Sequence, residues 1–219
     1  MSVGVALLNF GEPARPEREP VVDYLERIFA ANAEIEDGAD GNRARQLAER
    51  RAPGLLEEYE AIGGSPLQAH AEAQATLLES ELRERGYDAT TYVGMQYTEP
   101  FIDQVVDRAR ADGVDRLIGL PVYPLCGPST TVAALEELAD AVEAADWDVA
   151  YDELTGWHRH PAYPRLRADA IRSVLRTQGL AREGGGLSDG TCLIFSAHGT
   201  PQHYLDAGSR YVKYVEQYC

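Results

Sequence analysis

Short apolar runs alternate along this chain with longer stretches in which apolar positions recur every three or four residues. Val3–Leu8 is continuously apolar and reads as a buried strand. Thr90–Met95, rich in β-branched and aromatic residues, is strand-like, as are Leu117–Tyr123, Val149–Leu154 and Thr191–Ser196. Between these runs, Pro20–Ala31, Asn42–Ala61, Pro66–Arg85, Glu99–Ala111, Ser129–Ala145 and Tyr163–Thr177 carry helical patterning, and Gly208–Tyr218 predicts a last helix. In Glu99–Ala111, for example, Phe101, Ile102, Val105, Val106 and Ala109 fall on one face. Ser65 is the expected N-cap of its helix, with Pro66 at the first helical position.

Strands separated by helices imply parallel pairing through right-handed crossovers, hence an α/β fold with a doubly wound sheet. The pattern predicts one complete domain over residues 1–146 and the first part of a second, similar domain over 147–219. Asp37–Gly41 and Glu183–Gly190 read as loops. In such folds ligands sit beyond the carboxyl ends of the strands. The segments to watch are therefore Asn9–Pro13, Gln96–Pro100, Tyr123–Thr131, Trp157–Pro161 and Ala197–Pro201, all rich in Gly, Pro, aromatic residues or His.

Charge changes the picture. Thirty-six acidic residues against 20 basic give a net charge of −16, and Lys213 is the single lysine. Such a surface repels phosphates, which excludes a nucleic-acid partner as an expectation. Acid-rich, lysine-poor chains resemble proteins of salt-loving organisms, where screening makes self-repulsion tolerable. No run approaches a membrane span, and the apolar N-terminus lacks a basic lead-in, so the cytoplasm is the default location. Cys126, Cys192 and Cys219 form no CxxC pair, which points to reduced thiols rather than a disulfide framework or a self-contained zinc site.

The segment Phe195–Pro201 places His198 after an expected strand, beside Gly199. Imidazole there is either a structural group or a metal ligand and base. Gly63-Gly64-Ser65 is either a well-capped helix start or a set of backbone N–H groups suited to a carboxylate. Asn9–Pro13 is either a tight turn or a floor for a flat ligand; its glycine spacing is not that of a phosphate loop. His158 and His160 read as surface or supporting residues, and His70 and His203 have no local company.

GVALLNFGEP, YEAIGGSPL, VGMQYTEPFIDQ, LPVYPLCGPSTT and SAHGTPQHYLDAGSRY stand in the order and at about the spacing of ferrochelatases, and together they run from Gly4 to Tyr211, nearly the whole chain. The resemblance implies two similar chelatase-like α/β domains holding a porphyrin, protoporphyrin IX or coproporphyrin III, with Fe(II) as the substrate metal. It maps the metal-site histidine and catalytic base onto His198. Porphyrin-contacting positions map onto Phe10, Tyr59, Ser65, Gln96 and Tyr97, with Tyr123 and Ser129 in the following strand-end loop. Phe10 stands where some members carry a ligating Tyr, and Gln96 where the family often has a basic residue. The family's second metal-site residue, a Glu, lies well downstream of SAHG, which implies a missing C-terminal portion. Some relatives bind a [2Fe–2S] centre, to which Cys219 cannot be assigned.

Insertion requires loss of two pyrrole protons and exchange of metal-bound water for ring nitrogens. A rigid cleft that bends the ring would use binding energy for that distortion, and His198 would accept protons, ligate Fe(II), or both. The alternatives are a cobalt or nickel chelatase acting on a sirohydrochlorin-type ring and a non-catalytic tetrapyrrole-binding fragment.

Overall fold

A computed structural model describes residues 1–32, 41–184 and 186–218. The loop expected at Asp37–Gly41 lies outside the described residues except for Gly41, as does Cys219. Contacts divide the chain into two units: Met1–Val122 with Ser129–Leu154, and Tyr123–Pro128 with Thr155–Cys219.

The first unit is built on four parallel strands, β1 (Val3–Asn9), β2 (Ala89–Met95), β3 (Arg116–Pro121) and β4 (Ala150–Glu153), in the order β2-β1-β3-β4. β1 is central. Val3 lies opposite Ala89 on one side and Arg116 on the other. The strands are joined by helices: α1 (Arg18–Ala31), α2 (Gly41–Ile62) and α3 (Leu67–Glu84) before β2, α4 (Ile102–Ala111) before β3, and α5 (Ala133–Ala144) before β4. This is the parallel α/β architecture the alternating pattern predicts. The division differs from the expected break after Asp146, because β4 pairs with β3, Arg116 opposite Ala150, and so completes the first sheet.

The two-residue period of the strands sorts side chains between faces. Ala6, Leu8, Tyr92 and Leu117 pack with Ile102, Val105 and Val106 of α4 and Leu135 and Leu138 of α5. Leu7, Val93 and Met95 pack on the opposite side with Ala71 and Ala75 of α3. Close helix approach explains Gly119: a Cβ there would stand 2.7 Å from Leu135 Cδ2. A third cluster joins Val21, Val22, Tyr24 and Leu25 of α1 to Ala48 and Ala52 of α2, with Tyr97. Arg45 ties the same helices together, donating to Asp23 Oδ1 at 2.8 Å and Glu26 Oε2 at 2.9 Å.

The second unit contains a 3-10 turn at Trp157–Arg159 and helices α6 (Ala162–Thr177), α7 (Gln202–Asp206) and α8 (Tyr211–Tyr218). The strand expected at Thr191–Ser196 does not form. These residues make no ladder, and the described residues of this unit offer no other strand to pair with, so the run lacks the hydrogen bonds that would hold it extended. Its apolar side chains stay in solvent, Ile194 being 82% exposed. Among the described residues, no large apolar side chain of this unit is buried. Its buried polar side chain, among the described residues, is His158, whose ring lies 5.2 Å from that of Tyr214. A proline carbonyl can only accept, so the 2.7 Å contact with Pro124 fixes the proton on His158 Nδ1. No described helix is long and apolar enough to cross a membrane.

Candidate functional site

In a parallel sheet whose order reverses about β1, the ends of β1, β2 and β3 converge on the ligand-accepting edge. Asn9, the last residue of β1, is buried; its Oδ1 accepts the Phe10 N–H at 2.8 Å and sets the turn that follows. The turns after β1 and β2 are stitched together: Gln96 N–H donates to Asn9 O at 3.0 Å and Tyr97 N–H to Phe10 O at 3.1 Å. Gly11 has φ 96°, and a Cβ there would stand only 2.3 Å from Thr98 Oγ1, so the crossing of the two turns requires glycine.

This lock brings the aromatic rings together. Phe10 lies edge-on to Tyr97 at 4.6 Å between centroids and to Tyr24 at 6.4 Å. Tyr24 hydroxyl donates to Gly11 O at 3.2 Å, and burial, followed by the nearby Tyr59, Tyr97 and Glu12, pushes its pKa well above the usual phenol range. Tyr59, half-buried on α2, is raised first by burial and then by Glu12 and Glu58. Arg27 donates to Tyr97 O at 3.2 Å and places its guanidinium 5.1 Å from the centroid of the Phe101 ring.

The start of α3 differs from expectation. Pro66 occupies the cap position, and Ser65 Oγ accepts a long 3.3 Å hydrogen bond from Leu67 N–H. The main cap is Glu12, whose carboxylate accepts from Leu67 N–H at 3.1 Å and Gln68 N–H at 2.9 Å. The backbone donors after Gly63-Gly64 that suit a carboxylate therefore already hold one, supplied by the turn after β1. Glu12 also lines a cleft of about 530 Å³ with Pro13, Ala14, Pro20, Asp23, Arg27, Gln68, Thr98 and Glu99. Clefts of roughly 300–1,000 Å³ are typical of ligand sites.

Of the sequence-predicted residues, Phe10, Gln96 and Tyr97 meet at this edge. Tyr59 stands close enough for Glu12 to shift it, and Ser65 sits at the start of α3. Ser129 is half-buried in a π-helical turn, Pro128–Val132, that leads into α5. Tyr123 and His198 belong to the second unit. His198 is exposed and follows a segment without regular structure, where a strand end was expected. Its Nδ1 lies 2.6 Å from Gly199 O; because the carbonyl accepts, Nδ1 carries the proton and the lone pair is on Nε2. Among the described residues no group of three or more His, Cys, Asp or Glu could hold a metal ion. Cys126 is half-buried, and burial raises its thiol pKa, which makes it a poor nucleophile. Sequence reasoning missed Glu12, Tyr24 and Arg27. Tyr24 and Arg27 carried a signal in their i, i+3 spacing on α1, which faces the β1 turn.

The first unit thus presents a parallel α/β sheet with an aromatic, glycine-locked turn at its switch edge. The ferrochelatase family profile matches residues 2–219. A ferrochelatase of Gloeobacter violaceus is 35% identical over 98% of this chain and 65% of its own length. One from a Synechococcus strain is 36% identical over 97% of the chain and 62% of its own length, and that of Parasynechococcus marenigrum 34% over 98% and 54%. The chain belongs to the ferrochelatase family and spans between 54% and 65% of the length of these relatives.

Proposed function

We propose that this protein serves the insertion of Fe(II) into a porphyrin, protoporphyrin IX or coproporphyrin III, in haem biosynthesis. The observation that carries the reading is the Phe10–Tyr97–Tyr24 cluster held rigidly at the ends of β1 and β2, in a chain of this family. Interlocking turns and a buried Tyr24 give a stiff apolar wall against which a flat macrocycle gains stacking energy. A wall that does not yield transfers strain to the ring and tilts a pyrrole nitrogen out of plane, part of the way to the metallated geometry. Phe10 supplies surface but no ligand atom, so this position contributes binding and not axial coordination.

His198 is the residue for metal and protons. With Nδ1–H given to Gly199 O, Nε2 is free to accept a pyrrole proton or to bind Fe(II). Iron here is a substrate. Tyr59, Ser65, Gln96, Tyr123 and Ser129 complete the porphyrin-contacting set. The exposure of His198 favours one competing reading, tetrapyrrole binding without insertion.

Anaerobic assay of Fe(II) or Zn(II) incorporation into porphyrin separates the two. His198→Ala is expected to lower insertion at least about a hundredfold, the lower range for loss of a positioned acid–base group, with an unchanged circular dichroism spectrum. Near-normal turnover in that variant rejects the role of His198, and porphyrin binding with no insertion by the unsubstituted protein establishes the binding-only reading.

A further inference from the structure

The two turns that carry the aromatic rings are gripped by one face of α1. Tyr24 and Arg27 lie three residues apart on that helix and share this face. Each holds a different turn: Tyr24 hydroxyl donates to Gly11 O after β1, and Arg27 Nη1 donates to Tyr97 O, 3.2 Å away, after β2. The second turn closes between Met95, whose N–H donates to Pro100 O at 2.8 Å, and Phe101. Arg27 spans it, with its guanidinium carbon 5.1 Å from the centroid of the Phe101 ring.

The consequence falls on Tyr97. Its N–H is tied to Phe10 O and its C=O to Arg27, so two separate elements fix the peptide groups on either side of its Cα. Tyr97 is 6% exposed and backs the half-buried Phe10, with the ring centroids 4.6 Å apart. Releasing the carbonyl frees the turn to shift, and with it the support of Phe10. A guanidinium suits both tasks, since its planar face stacks on an aromatic ring while its edge donates; an ammonium has no such face. Capture of an anion by Arg27 is disfavoured, because Glu12, Asp23 and Glu99 line the same cleft.

We propose that Arg27 is a positioning residue for ring distortion, acting through Tyr97 on the face that Phe10 offers to the porphyrin. The inference rests on the porphyrin reading above and adds to that site a residue that acts without touching the ligand. A backing that holds makes the macrocycle bend; one that gives way lets the ring bind flat. Distortion toward the metallated geometry is felt in turnover rather than in KM.

The test is Zn(II) insertion into protoporphyrin IX by the parent, Arg27→Lys and Arg27→Ala, together with resonance Raman spectra of the metal-free porphyrin bound to each. Both variants are expected to turn over roughly tenfold more slowly, with KM within about twofold of the parent, and to lose intensity in the out-of-plane ring modes. Arg27 is exposed, so guanidinium ion at millimolar concentration can reach the emptied place. It should restore turnover to Arg27→Ala and leave the parent unchanged, which a general loss of stability would not allow. Arg27→Lys keeps the charge and the stem and decides the matter if the alanine variant does not fold. Unchanged turnover in the variants, or a rise in KM at unchanged kcat, overturns this inference and leaves the porphyrin reading standing. If the parent binds the ring without inserting metal, the Raman modes decide, and variants that retain them overturn the inference. A parent that binds no porphyrin overturns that reading and the inference with it.

Discussion

At the scale of the residue, Glu12 is the side chain on which the site's geometry turns. It carries the start of α3 on two charge-assisted hydrogen bonds and so fixes Gly63-Gly64-Ser65 against the turn after β1. Glu12→Ala is expected to cost about 1 kcal/mol in urea unfolding, the usual value of a helix cap, and to speed hydrogen exchange at the Leu67 and Gln68 amides first. Glu12→Gln, which keeps the shape but loses the charge, should fall between. Unchanged exchange at those two amides would show the cap to be dispensable. The sequence showed Phe10, Gln96 and Tyr97 as strand-end residues because each lies in a short motif beside its strand. Glu12 was not legible in this way, since its partners lie 55 and 56 residues further on and no local pattern joins them.

At the scale of the element, α5 carries a titration built into its packing against α4. Burial, and then Asp103 at the start of α4, raise the Glu137 carboxyl from its usual 4.5 to about 7. The folded chain thus holds this proton where the unfolded chain has released it, between about pH 4.5 and pH 7. Stability falls as pH rises through that window and levels off above it. Glu137→Gln should flatten that part of the stability–pH curve. It should also raise stability at pH 8 by on the order of 1 kcal/mol, once solvent screening of a half-exposed group is counted. A curve parallel to that of the parent from pH 5 to pH 8 would refute the assignment. The elements themselves were largely readable. β1 to β4 and α1 to α6 emerge within a few residues of their predicted bounds, because each has a period that only one local geometry satisfies. Thr191–Ser196 has the composition of a strand and is not one. Strand geometry depends on neighbours, and an apolar run cannot announce whether they are there. The contact units likewise divide elsewhere than after Asp146, as the partner of β4 lies in the first sheet.

At the scale of the whole molecule, every hydrophobic cluster of the described residues lies in the first unit, while Leu166, Val174 and Ile194 of the second are 67%, 61% and 82% exposed. Opening costs little where few apolar contacts must break. Limited proteolysis under native conditions is therefore expected to cut within residues 155–218 well before the first unit, leaving a resistant product that ends near Leu154. Cleavage starting in the first unit would contradict this ordering. The same arrangement has a consequence for synthesis. Among the described residues, the strand at the β4 edge of the sheet is also the last in chain order, so none of the four has to be threaded between earlier ones. On the ribosome, a chain growing at about 5–20 residues per second can close this sheet as soon as Glu153 clears the exit tunnel, so the wall of rings at its edge is finished before translation of His198 has any bearing on it.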